Sequence, residues 1–344
     1  MCAAKRILIV KTSSLGDVIQ SFPVLDDLKM RFPDAEIDWA IDSSFSPIVS
    51  AHPLVFEAIP LNLREKKNLW SALKQLRKKK YDFIFDLQGN CKSGLITLFA
   101  RGEVKVGFGL KTVREWPNIL ATNLRFDISK RQNIGHFYVE LIERTFGEKS
   151  DTEMKSKFRI SDEEREKVAK IVTLGPAPRM MICPGSHWAN KQLRSDTWIQ
   201  FLKKIEAHYR PTFFLVWGTE EEKKECQTIV KSLQRAFLLD KLPVPTWQYL
   251  MSELDLVISV DSSALHLCAT TKTATFSIFG PTSAQIFQPI GERHFSFQGG
   301  CPYGQTFEKQ CPILRSCPTG ACVRNIRAEE LFAVFQSRCD FLRP

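Results

Sequence analysis

The stretch RILIVKTSSLGDV, residues 6 to 18, decides the fold because it changes at Lys11 from an apolar run to a polar loop. Four consecutive apolar residues, 7 to 10, are typical of a strand that is covered on both faces of a parallel sheet. The apolar spacing of residues 18 to 31 then predicts a helix. Asp17 should lie just ahead of this helix, where an Asp most often serves as the N-cap. Ligands of open α/β sheets bind at the carboxyl ends of the strands, so a catalytic role for Asp17 stays open beside capping.

The same order of apolar run, polar loop and helix recurs along the chain, which predicts parallel sheets and an α/β fold. Pro-Gly punctuation in LGPAPR, residues 174 to 179, separates two such series. We therefore predict an N-terminal domain at 1–172, a second at 173–325 and a C-terminal helix at 326–344. An open alternative is that this helix packs back on the N-terminal domain. Further strands are expected at EIDWAI (36–41), VFEAIPL (55–61), DFIFDL (82–87), MMICP (180–184), TFFLVW (212–217), LDLVISV (254–260) and, as the last one, TATFSIFGP (273–281).

Composition favours a soluble cytoplasmic protein. The chain has 344 residues, 44% of them hydrophobic, which is enough to fill two cores. No apolar run approaches the length that crosses a bilayer, and the N-terminal residues lead straight into the first strand instead of resembling a signal peptide. The ten cysteines are therefore expected to be reduced thiols or metal ligands rather than a disulfide framework.

The charge favours an anionic partner. The formal net charge is +10, which suits nucleic acid, nucleotide or the phosphorylated face of a membrane without choosing among them. Residues 61 to 80 hold eight Lys and Arg against the single acid Glu65. The simpler interpretation is the solvated face of a helix, and the functional one is a surface that binds anions or a membrane.

Polar groups follow several predicted strands of both domains. In the first domain, Asp86, Gln88 and Asn90 are expected to open beside Asp17. In the second, the loop of residues 184 to 196 offers backbone amides and Lys191, which could hold a pyrophosphate without a metal. The three glutamates at 220–222 either favour the first turn of a helix or bind ribose hydroxyls. The strongest local group follows the strand at 254–260 and consists of Asp261, Ser262, Ser263 and His266.

These motifs together resemble the bacterial ADP-heptose lipopolysaccharide heptosyltransferases, glycosyltransferase family nine. The resemblance covers nearly the whole chain, in the family's order and spacing. It implies the GT-B fold: two facing Rossmann-like domains with a central interdomain cleft, the N-terminal one for the acceptor and the C-terminal one for the nucleotide-sugar donor. The motifs that carry it are VKTSSLGDVIQSFPVL (10–25), YDFIFDLQGNCKSG (81–94), CPGSHWANKQLRSDTW (183–198), VWGTEEE (216–222) and DLVISVDSSALHLCA (255–269).

The resemblance also implies roles for matching residues. Asp17 matches the carboxylate proposed as the general base, and Lys191 matches the lysine on the donor's phosphates. Ser263 stands where the family usually has glycine, so a side chain occupies a place where the backbone approaches the ligand. The implied donor-binding set is Ser186, His187, Lys191, Glu221, Glu222, Asp261, Ser262, Ser263 and His266. The implied acceptor-binding set, for the anionic Kdo and phosphate groups of lipid A, is Ser14, Gly16, Arg64, Lys66, Lys67, Arg114, Lys130 and Arg131.

The implied reaction is an inverting transfer of heptose from ADP-L-glycero-D-manno-heptose to Kdo of lipid A, in lipopolysaccharide inner-core synthesis. It needs no cofactor, involves no nucleic acid, and would take place peripherally at the inner face of the cytoplasmic membrane. One rival keeps the donor and makes the acceptor a protein. A rival from another class is a non-catalytic nucleotide or nucleic-acid binder, which the charge alone suggests.

The C-terminal cysteines leave two interpretations open. They lack the Cys-x-x-Cys pairs of an ordinary zinc knuckle. Some family members carry a cysteine-rich tail, and a few protein heptosyltransferases bind iron there. These cysteines are either inert or redox-labile thiols, or they bind a metal. We predict no metal, and the candidate ligands for one are Cys301, Cys311, Cys317 and Cys322.

Overall fold

The computed structural model describes residues 5–62, 73–74, 76–149 and 157–342. They form two compact units, Met1–Arg159 and Ile160–Pro344, each built on one six-stranded parallel sheet. The boundary between the two units falls before Ile160, because the helix Asp162–Val172 packs within the second unit. In that helix, Glu164 Oε1 accepts from Thr246 Oγ1 at 2.5 Å. The division at 172/173 into acceptor and donor domains stays a prediction.

In the first unit the strand order is β3-β2-β1-β4-β5-β6, and each neighbouring pair is parallel. The strands are β1 (Arg6–Val10), β2 (Glu36–Asp42), β3 (Glu57–Leu61), β4 (Lys80–Asp86), β5 (Arg101–Phe108) and β6 (Leu124–Phe126). Its α-helices include α1 (Leu15–Gln20), α2 (Pro23–Arg31), α3 (Ser46–Ala51), α4 (Cys91–Phe99) and α5 (Ile134–Phe146).

Strand β1 lies in the middle of this sheet, as its apolar run predicts. Its residues 7 to 10 have no exposed surface. Val10 pairs with Ala40 of β2 on one side and with Asp86 of β4 on the other. The carboxyl ends of β1 and β4 therefore lie side by side, and the loops that follow them start next to each other.

The single helix predicted for residues 18 to 31 is wrong, since the structure has two helices there. Helix α1 already starts at Leu15 and ends at Gln20, and α2 begins at Pro23. Proline has no N–H to continue a helical ladder, but it suits the first position of a new helix. The apolar spacing continues across this break, which is why spacing alone did not reveal it.

In the second unit the strand order is β12-β11-β10-β7-β8-β9, again all parallel. The strands are β7 (Arg179–Cys183), β8 (Thr212–Leu215), β9 (Ala236–Leu238), β10 (Leu256–Val260), β11 (Ala274–Phe279) and β12 (His294–Gln298). The helices are α6 (Asp162–Val172), α7 (Ser195–Tyr209), α8 (Glu220–Val230), α9 (Val244–Met251), α10 (Ser263–Cys268), α11 (Ala284–Phe287), α12 (Ala321–Arg324) and α13 (Ala328–Arg338).

The end of the second unit differs from the expectation in one strand. The prediction that residues 273–281 form the last strand is wrong, because β12 follows β11 and pairs with it in parallel. Strand β12 lies at the sheet edge and is only half-buried, so it lacks the continuous apolar run of the central strands. Helix α13 packs into the core of its own unit, where the Phe335 ring lies 5.1 Å from that of Phe276 and 5.7 Å from that of Phe201.

A buried histidine should make the first unit sensitive to acid. His52 has no exposed surface and its ring lies 4.8 Å from that of Phe22. Burial, with a smaller effect of the Arg159 charge, lowers the pKa of His52 to about 3. The unfolded chain therefore binds a proton that the folded chain excludes, and stability is lost as pH falls from about 6.5 towards 3, by up to about 1.4 kcal/mol per pH unit.

The test compares the wild type with His52→Asn, whose amide oxygen can still accept the bond that His52 Nδ1 receives from the Leu54 amide. Urea unfolding should show the variant less stable at pH 8, with the difference narrowing as pH falls from 6 to 4. Parallel stability curves for the two proteins over that interval would contradict the assignment.

Candidate active site

In the first unit, the site begins with Asp17 in the loop after β1. Asp17 is the third residue of α1 and half-buried, not ahead of the helix as predicted. Its Oδ2 accepts from the Ser14 amide at 3.1 Å and from Ser14 Oγ at 2.7 Å. The N-cap is thus Ser14, and Asp17 completes the cap from inside the helix. These bonds fix the carboxylate at the carboxyl end of the sheet.

Lys11 is the residue of this site that sequence reasoning missed. It directly follows β1, is 3% exposed, and its Nζ lies 4.9 Å from the centre of the Tyr138 ring. Burial lowers the pKa of Lys11 to about 8, while the charges of Asp17 and Asp86 oppose that shift. The ammonium and the Asp17 carboxylate therefore stabilise each other's charged forms. A lysine directly after a fully buried strand was the available signal.

The loop after β4 only partly meets the expectation. Gln88 does reach the loop after β1, because its Oε1 accepts from the amides of Thr12 and Ser13 at 3.2 Å. Asp86 does not open there: it has no exposed surface, and Asn118 Nδ2 donates to its Oδ2 at 2.6 Å. Asn90 caps α4 through the Ser93 amide at 2.9 Å. The expectation that Asp86 opens beside Asp17 is therefore wrong, because Asp86 holds the loop in place from a buried position. For the half-buried Asn90 it stays a prediction.

The predicted acceptor residues are unevenly distributed. Ser14 and Gly16 belong to the Asp17 loop, as their positions require. Arg114 is exposed, and its charge contributes to lowering the pKa of Lys11, which puts its guanidinium near this site. Lys130 and Arg131 are exposed in the segment before α5. The remaining three lie outside the described residues: Arg64, Lys66 and Lys67.

In the second unit, the loops after β7 and β10 meet at Asp261. This carboxylate is 5% exposed, and its Oδ2 accepts from Lys191 Nζ at 2.6 Å. His266 Nε2 lies 3.9 Å from its Oδ1. Ser186 Oγ donates to the Asp261 carbonyl at 3.3 Å, which ties the two loops together. The result is a compact cluster at the carboxyl ends of the two central strands of this sheet, where open α/β sheets bind ligands.

Thr282 belongs to the same cluster and was missed. It is 2% exposed, and its Oγ1 donates to Asp261 Oδ2 at 2.5 Å. Thr282 follows β11, which is the parallel neighbour of β10. In the sequence, Thr282 is only a hydroxyl residue shortly after a strand. Its bond to Asp261 could not be predicted, because it depends on β11 lying beside β10.

Glu222 lies beside the loop after β7. Its Oε2 accepts from the Gly218 amide at 2.7 Å and from the Thr219 amide at 3.1 Å, which caps α8. A Cβ on Gly185 would collide with this carboxylate, so the glycine permits the close approach of the two loops. Glu222 thus has the role at the helix start that the simpler interpretation gave it, while Oε1 faces Gly185. Glu221 is exposed on the first turn of α8.

The other donor candidates lie around this cluster. His187 is exposed, with its ring 5.2 Å from that of Trp188. Ser262 is the N-cap residue of α10, and Ser263 is the first residue of that helix. Both serines are half-buried. The start of α10 and the loop after β7 therefore offer backbone amides in addition to the Lys191 ammonium. This combination suits an anionic group.

The four C-terminal cysteines lie near one another. Burial, and then the charges of Cys301, Cys317 and Cys311, raises the pKa of Cys322 to about 11. The Gly320 amide donates to Cys317 Sγ at 3.4 Å, and such bonds lower the pKa of Cys317. Within the described ranges, no group of three or more His, Cys, Asp or Glu side chains is arranged to hold a metal ion. Every cysteine of those ranges is a free thiol.

Comparison with solved structures defines the class. The structure described as E. coli heptosyltransferase WaaC with ADP superposes with a TM-score of 0.74 at 22% identity, over 97% of this chain and 98% of that one. The predicted α/β fold of two Rossmann-like parallel-sheet domains is confirmed, and it is the GT-B type of glycosyltransferase fold. In the parts of the chain that the structure describes, no helix is long and apolar enough to span a bilayer.

Comparison of sequences gives the family. The model of glycosyltransferase family 9 (heptosyltransferase) matches residues 69–316, and the chain belongs to that family. It is therefore a glycosyltransferase and not a non-catalytic binder. Lipopolysaccharide heptosyltransferase 1 of Pseudomonas aeruginosa is 25% identical over 316 residues, 89% of this chain and 87% of that protein. The protein of the same name from Escherichia coli K12 is 27% identical over 303 residues, 83% of this chain and 91% of that protein.

Proposed function

We propose that the chain transfers heptose, with inversion, from ADP-L-glycero-D-manno-heptose to a Kdo residue of lipid A during lipopolysaccharide inner-core synthesis. The relatives named lipopolysaccharide heptosyltransferase 1 and the fold shared with a heptosyltransferase solved with ADP support this choice. The observation that carries it is the cluster of Lys191, Asp261 and His266 at the strand ends of the second unit.

The donor half of the reaction uses this cluster. The Lys191 ammonium, now paired with Asp261, would turn to the diphosphate of the donor, and loop amides would add dipoles to it. As the bond between the anomeric carbon and the diphosphate breaks, negative charge grows on ADP. A lysine and oriented amides stabilise that charge without a metal. Glu222 Oε1 would accept from a ribose hydroxyl.

The acceptor half uses Asp17. Its carboxylate would take the proton of the Kdo hydroxyl while the oxygen bonds to the anomeric carbon, on the face opposite the departing ADP. Attack from the opposite face inverts the configuration. Lys11 keeps the base anionic, because the buried ammonium is most favourable beside a negative charge. The proton ends on Asp17 and the electron pair of the broken bond ends on ADP.

The acceptor's anionic groups call for cations. Arg114, Lys130 and Arg131 are exposed in the first unit and would receive the carboxylate of Kdo and the phosphates of lipid A. Arg64, Lys66 and Lys67, which lie outside the described residues, would bind the same anionic groups. Because lipid A is a membrane lipid, the enzyme would work in the cytoplasm and associate peripherally with the inner membrane.

A matrix of donors and acceptors tests the proposal through ADP release. Release should require ADP-heptose and Kdo-lipid A together, and ADP-glucose should be a poor donor. A protein acceptor is the rival, represented by a denatured protein extract of cells that lack lipopolysaccharide heptose, freed of Kdo-lipid A by solvent extraction. ADP release that needs the extract and not Kdo-lipid A would overturn the proposed acceptor.

A further inference from the structure

The first unit exposes several large apolar side chains on two neighbouring elements. On the 3₁₀ helix Trp116–Ala121, Trp116 is 66% and Leu120 is 74% exposed. On α4, Leu95 is 42% and Leu98 is 58% exposed. We refer to these four residues as the apolar patch. Single exposed leucines are common on proteins, but several on adjacent elements mark an interaction surface.

The two elements are packed side by side. Asn118 Nδ2 donates to the Asn90 carbonyl at 2.9 Å, which joins the 3₁₀ helix to the start of α4. A Cβ on Gly94 would lie 3.7 Å from the Ala121 Cβ, so this face of α4 lies directly against the 3₁₀ helix. Leu98 follows Gly94 by one helical turn, and Leu120 precedes Ala121. Leu98 and Leu120 therefore lie on two elements that are in direct contact, each within one helical turn of a residue of that contact.

Cationic groups flank the apolar patch. Arg125 Nη1 donates to the Ile119 carbonyl at 3.3 Å, beside Leu120. Lys105 Nζ donates to the Leu98 carbonyl at 3.1 Å, at the carboxyl end of α4. Lys92 is exposed on the first turn of α4. The acid Glu115 also lies at this edge, and its carboxylate accepts from the Cys91 amide at 2.8 Å. The surface is thus apolar in the middle and predominantly basic around it.

We propose that the apolar patch and its flanking cations dock the enzyme on an anionic phospholipid surface. Tryptophan and leucine side chains enter the boundary between headgroups and acyl chains, and lysines and arginines around them bind the anionic headgroups. The charge pattern selects this occupant over an apolar protein groove, which would offer no anionic group to the cations around the patch. The proposal deepens the proposed function and rests on it for the choice of a lipid partner, since Kdo-lipid A lies in a membrane.

The test is co-sedimentation of the full chain with vesicles of phosphatidylethanolamine and phosphatidylglycerol. Wild type should bind these vesicles and bind phosphatidylcholine vesicles far less. Leu98→Gln/Leu120→Gln should lower the vesicle partition coefficient by about tenfold or more, since two side chains lose their apolar burial. Lys92→Gln/Arg125→Gln should remove most of the preference for anionic vesicles. The matched control is Leu174→Gln/Ile290→Gln, at leucine and isoleucine side chains 48% and 51% exposed in the second unit, which should bind like wild type.

Several outcomes would overturn the proposal. Undiminished vesicle binding by Leu98→Gln/Leu120→Gln would do so, as would equal loss in the control. If light scattering showed a dimeric wild type and a monomeric Leu98→Gln/Leu120→Gln variant, the apolar patch would instead be the contact surface for a second copy of the chain. Activity separates this proposal from the proposed function. The patch variant should keep its rate on a deacylated, water-soluble Kdo acceptor and lose rate on vesicle-bound Kdo-lipid A. A wild type inactive on both acceptors would contradict the proposed function and leave the vesicle result standing.

Discussion

Replacing Asp17 by asparagine is expected to lower kcat by about 10²- to 10⁴-fold, the range that a general base contributes. The affinity for ADP should stay within about twofold, because the residues expected to bind the donor belong to the second unit. Asparagine keeps an oxygen for the Ser14 amide and hydroxyl that now donate to Asp17, so α1 should remain capped. Single-turnover kinetics and calorimetric titration with ADP measure the two quantities separately.

A control variant tests whether the loss of a helix cap could by itself lower kcat. Ser161→Ala removes a comparable cap from α6, where Ser161 Oγ accepts from the Glu164 amide at 3.2 Å. It should cost about 1 kcal/mol of stability and leave kcat unchanged. An Asp17→Asn enzyme that retains a tenth or more of the wild-type kcat would exclude Asp17 as the base.

Replacing Lys191 by methionine is expected to weaken ADP binding by about 10- to 100-fold, the loss of a charge-assisted hydrogen bond to phosphate. The affinity of the variant should also depend less on salt, because one charge has left the site. The matched control is Lys203→Met on α7, an exposed lysine outside the cluster. It should bind ADP like the wild type.

Lys191 also neutralises a buried carboxylate, so its removal has a second consequence. Asp261 would keep the Thr282 hydroxyl but lose its cation. Lys191→Met should therefore be less stable than wild type, and Lys191→Met/Asp261→Asn should recover stability without recovering ADP affinity. Recovery of both by the double variant would show that Lys191 acts on the fold alone. An ADP affinity within twofold of wild type in Lys191→Met would remove the lysine from the donor site.

The parts of the fold that rest on local patterns could be predicted from the sequence. Strand β1 and the loop after it follow from a continuous apolar run that ends at a polar residue. The unit from β10 to α10 follows in the same way, with Asp261 at its turn. These patterns suffice because a strand that is buried on both faces of a parallel sheet consists almost entirely of apolar residues.

The rest depends on partners distant in sequence. Asp86 and Asp261 both follow a buried strand, yet Asp86 is enclosed by Asn118, thirty-two residues away, and Asp261 accepts from Lys191. Strand order decides which loops meet, so the bond from Thr282 could not be read before β11 was placed beside β10. Lys11 was missed because its burial depends on Tyr138, which packs over it from α5.

We propose that this chain places a heptose on Kdo, and mass spectrometry of the acceptor itself tests this most directly. Purified Kdo-lipid A incubated with ADP-heptose and wild-type enzyme should gain the mass of one heptose, and fragmentation should place that heptose on Kdo. Asp17→Asn should give no such product over the same time. An acceptor of unchanged mass while wild-type enzyme releases ADP, or a heptose found on the protein instead, would contradict the account.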